Sequence, residues 1–541
     1  MSASSKKKLR NAQQAEKLSE KQRAEQREAK KLKLYTTMAV VILIALVSFA
    51  AYIGISKTVV NSGIRERTTI ALTIGDEKIS NAELSYFFVD AVNNFNNQYG
   101  SYAYILGLYP GVPLDEQVYN PETGETWADN FLNTAIENAK ATYALANEAK
   151  ANGYTLPDEV ATSITQNMSS ISAYALIYGY PNVDTYLKSM YGPGATEKGL
   201  REYLELTMLA SSYQDYYYNS LVYSDDQLRA AEKDNYNKYS SYNFNYYYLS
   251  TSSFIVGEQG ENGYTDEQLS AAEKSAEVAA KSLTEGITTV EEFDAAIAAL
   301  PVNAESTTAV STASKDVAYG SVYSAYAEWV TDPSRKAGDM TYVANTAVST
   351  DENGNEVEKI NGYYVLMFNS CNDNAFPLAN VRHILVAFQG GTADPTTGMA
   401  VYTDEEKAAA KTTAEEIYNE WKNGAATEDS FAALANEKSD DGDGTTGGLY
   451  EDIFPGQMVS AFENWCFEGH NVGDTGIVET EYGYHIMFYS GDSETTYRDL
   501  LISNDLATTD YTNWHNGLVA GVTATKGNTK FVCTNMVLSS L

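Results

Sequence analysis

The sequence predicts an α+β protein in which a mostly helical region precedes two copies of one mixed domain. Apolar residues recur at helical spacing between residues 68 and 235, a pattern typical of amphipathic helices. Between residues 240 and 490, short apolar runs that predict strands enclose stretches that predict helices. Within this second region, similar segments recur 138 residues apart. Such an internal repeat indicates a duplicated domain.

The N-terminus combines a basic tail with a long uncharged run. Residues 1–35 carry eleven Lys or Arg and four Glu, so their net charge is +7, and the rest of the chain carries −42 of the total of −35. Lys33 and Lys57 enclose 23 residues without a charge. Since about twenty residues of helix cross a bilayer core, we predict a transmembrane helix at 36–56. The basic residues before it predict a cytoplasmic tail at 1–35 and an extracytoplasmic body.

A cleaved secretory signal is the alternative interpretation of the same segment. The small residues of Ser48-Phe49-Ala50 would suit a cleavage site. The length of the uncharged run favours an uncleaved anchor, because the apolar core of a signal peptide is shorter. The predicted location is therefore the cell membrane, with a single span.

Composition excludes several classes of function for the body. Its excess of acidic residues argues against nucleic-acid binding, which requires a basic surface. Cys371, Cys466 and Cys533 lie too far apart for a metal-ligand pattern and are expected to be buried free thiols, with a single disulfide as the alternative. The acidic loop at 439–444 lacks the ligand spacing of a calcium loop. We therefore expect no metal and no cofactor.

The helical region is predicted to be one domain, at 57–239. A strand pair with a Gly-Asp turn comes first, and Ser80 then caps a helix. The tyrosine-rich stripes of its helices favour core packing, and a binding surface for unfolded chains is the alternative. The further predicted helices are Trp127–Asn152, a helix that starts at Leu156–Glu159, Val183–Met190 and Glu197–Tyr218.

The duplication is predicted to comprise a first copy at 240–376 and a second at 377–492. Tyr264-Thr265-Asp266-Glu267 recurs as Tyr402-Thr403-Asp404-Glu405, and Gly286 and Phe293 recur as Gly424 and Phe431. The second copy has His383 and His485 on its first and last strands. The first copy is predicted to have Tyr247 and Tyr364 at those two positions. Because the polar residues occur in only one copy, we expect the chemistry there.

The second copy contains several motifs in a fixed order. These are Arg382-His383-Ile384-Leu385-Val386, a helix at Asp404–Asn423, Ser439-Asp440-Asp441, Gly447-Gly448, Gly456-Gln457-Met458, Phe462, and a closing strand at 480–488. On these motifs, residues 380–490 resemble a parvulin-type peptidyl-prolyl isomerase (PPIase) domain. The wider arrangement is similar to that of the SurA-type and PrsA-type extracytoplasmic foldases, with a helical chaperone-like region and, in the SurA type, tandem parvulin domains of which one can be inactive.

The resemblance implies two sets of site residues. The catalytic set is His383, Asp441, Thr480 and His485. The substrate-binding set is Leu449 or Tyr450, together with Met458, Phe462 and Tyr482. The sequence departs from the family pattern at Gly448-Leu449-Tyr450-Glu451, where a Gly-Asp-Leu-Gly run is usual. That departure leaves open which residue forms the last wall of the proline pocket.

Residues 493–541 are predicted to be a C-terminal segment that packs on the helical domain. It would contain a helix at Thr496–Leu506 and a strand at Phe531-Val532-Cys533. For the whole chain, the resemblance implies a PPIase that assists the folding of exported proteins. Its partners would be unfolded or partly folded polypeptides with X–Pro bonds and the cytoplasmic membrane. The alternative is a non-catalytic holding chaperone that uses the parvulin fold as a binding module.

Overall fold

The computed structural model describes residues 63–260, 263–304, 306, 308–350, 355–442 and 444–538. The predicted tail at 1–35 and the predicted span at 36–56 therefore lie outside the described residues. Among the residues that are described, no helix is both long enough and apolar enough to cross a membrane. The chain forms two compact units, one ending at Val222 and resuming at Ala507, the other comprising residues 223–506.

Helices dominate residues 63–234. In order, the elements are α1 (Ile64–Thr68), β1 (Ile70–Ile74), β2 (Glu77–Ser80), α2 (Asn81–Tyr99), β3 (Val118–Asn120), β4 (Glu125–Thr126), α3 (Trp127–Ala151), α4 (Asp158–Ile177), α5 (Val183–Tyr191), α6 (Glu197–Ser220) and α7 (Asp225–Asp234).

Strands and helices then alternate. The elements are β5 (Ser241–Ser250), α8 (Asp266–Ser282), α9 (Val290–Ala298), β6 (Thr312–Ala318), α10 (Ala327–Val330), β7 (Met340–Thr350), β8 (Glu356–Asn372), β9 (Pro377–Ala387), β10 (Thr392–Ala393), β11 (Ala400–Val401), α11 (Asp404–Asn423), α12 (Glu428–Lys438), β12 (Leu449–Ile453), α13 (Ser460–Cys466), β13 (Thr475–Glu479), β14 (Gly483–Thr496), α14 (Tyr497–Ala520) and β15 (Ala524–Lys526).

The helices of the first unit begin where side-chain caps predict. Ser80, Thr126 and Thr196 each accept a hydrogen bond from the backbone N–H three residues later, which satisfies a donor that has no partner within the helix. Tyr86 and Tyr203 are buried with their rings stacked 5.3 Å apart. For these two residues, the interpretation of the tyrosine stripe as core packing is confirmed.

From Ala507 onward, the C-terminal segment packs into the same unit, as predicted, whereas residues 493–506 belong to the other unit. Strand β15 pairs with β1 in a three-stranded sheet of order β15-β1-β2. Asn81, which is fully buried, donates to the carbonyl of Asn528 and accepts from the N–H of Phe531. Val532 and Leu538 are buried in the helical core.

The predicted strand at 531–533 is wrong. Residues 531–533 form a turn, and the strand lies earlier, at β15. The apolar Val532 that suggested a strand is instead a single buried contact with the helical core. A short apolar run of this kind does not distinguish a strand from a buried turn.

The second unit contains two four-stranded antiparallel sheets of the same topology. Their orders are β6-β5-β8-β7 and β12-β9-β14-β13, so the first, second, third and fourth strands of each copy take the same places. Helices α8 and α9 pack on one face of the first sheet, and α11 and α12 pack on one face of the second. The short helices α10 and α13 pack on the opposite faces.

The first copy has tyrosine at both histidine positions, but Tyr247 is not one of them. Tyr247 packs on the face that α8 and α9 cover. His383 lies on the other face of its own sheet, because its neighbour Ile384 packs against α11 and α12. Tyr246, whose strand partner is Leu366, occupies the place of His383, whose partner is Met487. Tyr364 takes the place of His485, as predicted.

Three further differences concern element bounds and burial. The closing strand begins at Gly483, so Thr480 lies in the turn between β13 and β14. The predicted helix at 496–506 continues to Ala520, because the segment around Trp514 is also helical. All three cysteines are free, but only Cys466 is buried, whereas Cys371 is exposed.

Candidate active site

The two histidines of the second copy meet on one face of its sheet. Strands β9 and β14 are antiparallel neighbours in which Leu385 lies opposite His485 and His383 lies opposite Met487. Alternate residues of a strand face the same side, so the two imidazoles are diagonal neighbours. Their Nδ1 atoms are 3.0 Å apart and their ring centroids 5.2 Å apart. Both side chains are buried.

The acidic loop is held against β9 by its own first two residues. The Leu385 N–H donates to Ser439 Oγ at 3.1 Å, and the Asp440 N–H donates to the Leu385 carbonyl at 2.8 Å. The Ala387 N–H donates to a carboxylate oxygen of Asp440 at 2.9 Å. This docking brings Asp441 Oδ2 to 3.1 Å from His383 Nε2.

The turn between β13 and β14 places Thr480 at the other end of the histidine pair. The Thr480 N–H donates to the Gly483 carbonyl at 2.9 Å, and the Tyr482 N–H donates to Thr480 Oγ1 at 3.2 Å. Thr480 Oγ1 lies 2.9 Å from His485 Nε2. All four predicted catalytic residues are therefore connected in one chain of hydrogen bonds.

Electrostatics fix the charge of two members of this chain, Asp441 and His485. The hydrogen bond from His383 lowers the pKa of Asp441 to about 2, against the opposing effect of burial and with a further hydrogen bond from Tyr450. Burial lowers the pKa of His485 to about 4, and the neighbouring His383 adds to that shift. At neutral pH the site therefore holds a carboxylate at Asp441 and an uncharged imidazole at His485.

The contacts define a single direction of donation when both rings are neutral. The Asp441 carboxylate can only accept, so His383 donates through Nε2–H, and its Nδ1 accepts from His485 Nδ1–H. His485 Nε2 then accepts the Thr480 hydroxyl. Every ring nitrogen of the pair has a partner inside the site, which makes the network a rigid support rather than a source of a free nucleophile.

Apolar side chains line the network. The Phe462 ring stands edge-on to both imidazoles, with its centroid 5.3 Å from each. Phe462 is buried, and Met458 is a partly buried member of the same apolar cluster. An open groove of about 670 Å³ lies beside them, and its lining includes Met458, Val459, Thr480 and Glu481. The predicted pocket residues Met458 and Phe462 thus lie together with the catalytic set.

Tyr450 and Leu449 are separated by the alternation of β12. Tyr450 lies opposite Val381, its ring stacks on His383 with centroids 4.9 Å apart, and its hydroxyl donates to Asp441 Oδ2 at 2.8 Å. Leu449 lies opposite Arg382, whose guanidinium contacts α12 on the other face. Of the two alternatives, the structure brings Tyr450 to the site.

The remaining predicted residue, Tyr482, lies at the rim. Its side chain is 59% exposed. Its N–H donates to Thr480 Oγ1, and its carbonyl accepts from the N–H of Phe388, the residue after β9, at 3.0 Å. Its proposed contact with substrate stays a prediction.

Sequence reasoning missed the residues that hold the loop and did not anticipate the Tyr450 contact. Ser439 and Asp440 fix Asp441 in place, and Arg382 holds the following glycines through a hydrogen bond from Nη1 to the Gly447 carbonyl at 3.0 Å. The Ser-Asp-Asp run was a usable signal, because serine and aspartate often bond to nearby backbone in turns.

Comparison with known proteins finds a described family that matches the segment carrying the site. Residues 383–490 match a family model described as a rotamase, PPIC-type PPIase domain. The foldase protein PrsA 1 of Listeria innocua is 36% identical over 113 residues, which are 20% of this chain and 30% of that protein. PrsA 1 of Listeria monocytogenes serotype 4b is 40% identical over 77 residues, or 14% and 25% of the two chains. The chain thus spans less than a third of these relatives' length.

Solved structures of similar proteins cover the same part. The peptidylprolyl isomerase PrsA from Bacillus cereus is 26% identical, with a TM-score of 0.18, over 28% of this chain and 50% of that one. PrsA from Bacillus subtilis is 26% identical, with a TM-score of 0.16, over 26% and 46%. Scores this low give the likeness in coordinates no weight, so the assignment depends on the sequence matches.

Proposed function

We propose that this chain, whose residues 383–490 are a parvulin-type PPIase domain, catalyses cis–trans isomerisation of X–Pro bonds in unfolded or partly folded polypeptides. The observation that carries this proposal is the hydrogen-bonded chain of Asp441, His383, His485 and Thr480 beside an open groove that Met458 and Val459 line together with polar residues. Catalysis would need no metal, cofactor or covalent intermediate.

The chemistry of the reaction suits such a site. A peptide bond resists rotation by about 18–20 kcal/mol because of amide resonance, and uncatalysed X–Pro isomerisation takes on the order of tens of seconds. The twisted transition state has lost that resonance. A groove that holds the proline ring against Met458 and Phe462 while it excludes water would favour the twisted form. The hydrogen-bonded histidines would keep the groove in shape and set its polarity.

The other parts of the chain support a foldase with one catalytic domain. The first copy has the same strand order but carries tyrosine in place of both histidines, so we assign it as a degenerate parvulin-like domain at 240–376. The helical domain at 57–239 would contact unfolded clients, and the C-terminal segment at 493–541 would complete its core.

We further propose that the protein is anchored by the span at 36–56 and works outside the cytoplasmic membrane. The basic tail and the uncharged run of 23 residues support this location. The full chain should remain in the membrane fraction, and protease added from outside should digest its body. Recovery of a soluble chain that lacks its first ~50 residues would instead indicate a cleaved signal peptide.

A protease-coupled assay with a proline-containing peptide tests the activity. Replacing Met458 with Ala removes one wall of the groove, and His485→Ala interrupts the network, so each change should lower kcat/KM at least about tenfold, or about 1.4 kcal/mol. Val472→Ala, at a side chain that is 70% exposed in the same domain, is the matched control and should leave kcat/KM unchanged.

One outcome would count against catalysis and another against the assigned groove. An intact chain without isomerase activity that still suppresses the aggregation of an unfolded protein would favour the alternative function of a holding chaperone. Full activity in both site variants would place the catalytic groove elsewhere.

A further inference from the structure

The first copy has a cluster of aromatic side chains at the position that corresponds to the catalytic groove. Tyr246 and Tyr364 are diagonal neighbours on β5 and β8, as His383 and His485 are on β9 and β14. The tyrosine ring centroids lie 6.1 Å apart, against 5.2 Å for the imidazoles. The two pairs therefore occupy equivalent places in two sheets of one topology.

The side chains that line the two positions also correspond. Val322 and Tyr326 are four residues apart and pack on the first sheet, as Met458 and Phe462 do on the second. The Tyr326 ring lies 6.4 Å from Tyr246 and 5.3 Å from Tyr364, so it stands where Phe462 stands relative to the imidazoles. The duplication has thus kept the shape of the site and exchanged its polar residues for phenols.

The phenol cluster opens to solvent at Tyr323. Its side chain is 47% exposed, and its ring lies 5.5 Å from Tyr326 and 5.6 Å from Tyr364. Tyr246 and Tyr364 are half-buried. Within the described part of the chain, the hydroxyls of Tyr246, Tyr323, Tyr326 and Tyr364 have no hydrogen-bond partner. Tyr326 is buried beneath them. The rings of Tyr246, Tyr323 and Tyr364, packed over the Tyr326 ring, therefore form one small cluster with four hydroxyls, which we call the tyrosine cup.

The cup has no counterpart of the catalytic network. The first copy has no histidine, so it cannot form the chain of contacts from carboxylate through imidazoles to hydroxyl. It does offer what aromatic grooves use to recognise extended, proline-bearing segments, namely flat ring faces for the pyrrolidine ring and hydroxyl donors for the peptide carbonyls. Segments in the polyproline conformation lose little entropy on binding, and their carbonyls are free to accept.

We propose that the tyrosine cup binds extended, proline-containing polypeptide segments and holds them without isomerising them. The inference rests on the proposed function for the class of ligand, because the same client would supply segments to the catalytic groove and to the tyrosine cup. The equivalence of position argues for a polypeptide rather than another copy of the chain as the occupant.

Fluorescence anisotropy of the full chain tests the proposal. The probe is a labelled peptide of five Ala-Pro repeats, with an all-alanine peptide of equal length as the reference. The full chain should bind the proline peptide more tightly than the reference. Tyr323→Ala should weaken binding of the proline peptide about tenfold, the scale of an aromatic contact at the centre of an interface.

Tyr319→Ala is the matched control. Tyr319 is 41% exposed and precedes the cup in the same segment, yet its ring makes no aromatic contact with the cup within the described residues. Its loss should leave the affinity unchanged. Because both tyrosines are well exposed, both variants should melt at the wild-type temperature.

Several results would overturn the proposal. These are equal affinity in Tyr323→Ala and Tyr319→Ala, equal binding of the two peptides, or complete loss of binding in Met458→Ala. A dimer in sedimentation velocity that Tyr323→Ala abolishes would assign the cup to a second copy of the chain. Isomerase activity, measured on the same samples, should be unaffected by Tyr323→Ala. Its absence from the wild-type chain would contradict the proposed function and leave the result on the cup intact.

Discussion

At the scale of single residues, burial makes His485 a source of acid sensitivity. Its pKa is about 4 in the folded chain and 6.5 when unperturbed. Below pH 6.5 the unfolded chain therefore binds a proton that the folded chain does not. The resulting loss of stability grows as the pH falls towards 4 and amounts to at most about 3 kcal/mol. Asp441 contributes to stability down to a lower pH. Its pKa is lowered from the ordinary value of 3.8 to about 2, so its stabilising contribution is lost only as the pH falls below 3.8.

We predict that His485→Gln flattens the pH dependence of local stability in the second copy between pH 6.5 and 4. Hydrogen exchange of the amides of β9 and β14, corrected for the intrinsic rate at each pH, measures this dependence. The comparison uses the slope of the local opening free energy against pH, so a destabilisation by the substitution that does not depend on pH cancels. An equal slope in the wild-type chain and the variant would show that His485 is not the group that titrates.

Prediction of single residues succeeded where a sequence motif fixed which side chains meet. It failed where the register of two strands decided which residue faces the site. His383, Asp441, Thr480 and His485 were predicted as one set, and they form one network. The assignment of Tyr247 failed because it was one residue out of register: Tyr246 lies opposite Leu366 as His383 lies opposite Met487. A shift of one residue exchanges the two faces of a strand, and spacing in sequence does not reveal it.

At the scale of elements, Gly448 controls how closely β12 approaches β9. Its φ is +66°, and a Cβ there would lie 2.1 Å from the His383 carbonyl oxygen. The His383 N–H also donates to the Gly448 carbonyl at 2.9 Å. The neighbouring backbone cannot move away without breaking that hydrogen bond, so the strand that carries Tyr450 depends on the absence of a side chain at this position.

We predict that Gly448→Ala destabilises the second copy by about 3 kcal/mol or more and abolishes isomerase activity, because strain and a backbone clash add together. Gly469→Ala is the control, since Gly469 has a φ of +85° and a Cβ there would meet nothing within 4 Å. The control should cost only about 1–2 kcal/mol, the ordinary penalty of the left-handed conformation. Hydrogen exchange of β9 measures both, and similar losses in the two variants would exclude the clash.

Element bounds were predictable where capping residues mark them. Helix α11 was predicted at Asp404–Asn423 and is found there, because the Thr403 side chain caps its first turn and Gly424 follows its last residue. The position of Thr480 in a turn was less predictable, since the strand that follows begins only at Gly483. That turn joins β13 directly to β14, and the Thr480 N–H donates to the Gly483 carbonyl three residues later. The apolar run of the strand does not mark where such a turn ends.

At the scale of the whole molecule, Arg498, just after the second copy, contacts residues just before the first copy and near its end. Its side chain is almost fully buried. Nε donates to Glu232 at 2.5 Å, Nη2 donates to the Tyr236 carbonyl at 2.7 Å, and Nη1 donates to the Asp373 carbonyl at 2.8 Å. None of these contacts could be inferred from the repeat, because Arg498 lies beyond the duplicated segments. The two copies are therefore expected to lose their structure together.

We predict that Arg498→Ala uncouples the two copies. A buried charge pair that loses one partner costs about 3–5 kcal/mol, since the other charge is left without compensation. With increasing urea, amides of β5 and β9 should open together in the wild-type chain and at different concentrations in the variant. Arg335→Ala is the control, because Arg335 contacts Asp332, Asp339 and Trp329, all within the first copy. That variant should open both copies together at lower urea, and the same behaviour in Arg498→Ala would refute the coupling.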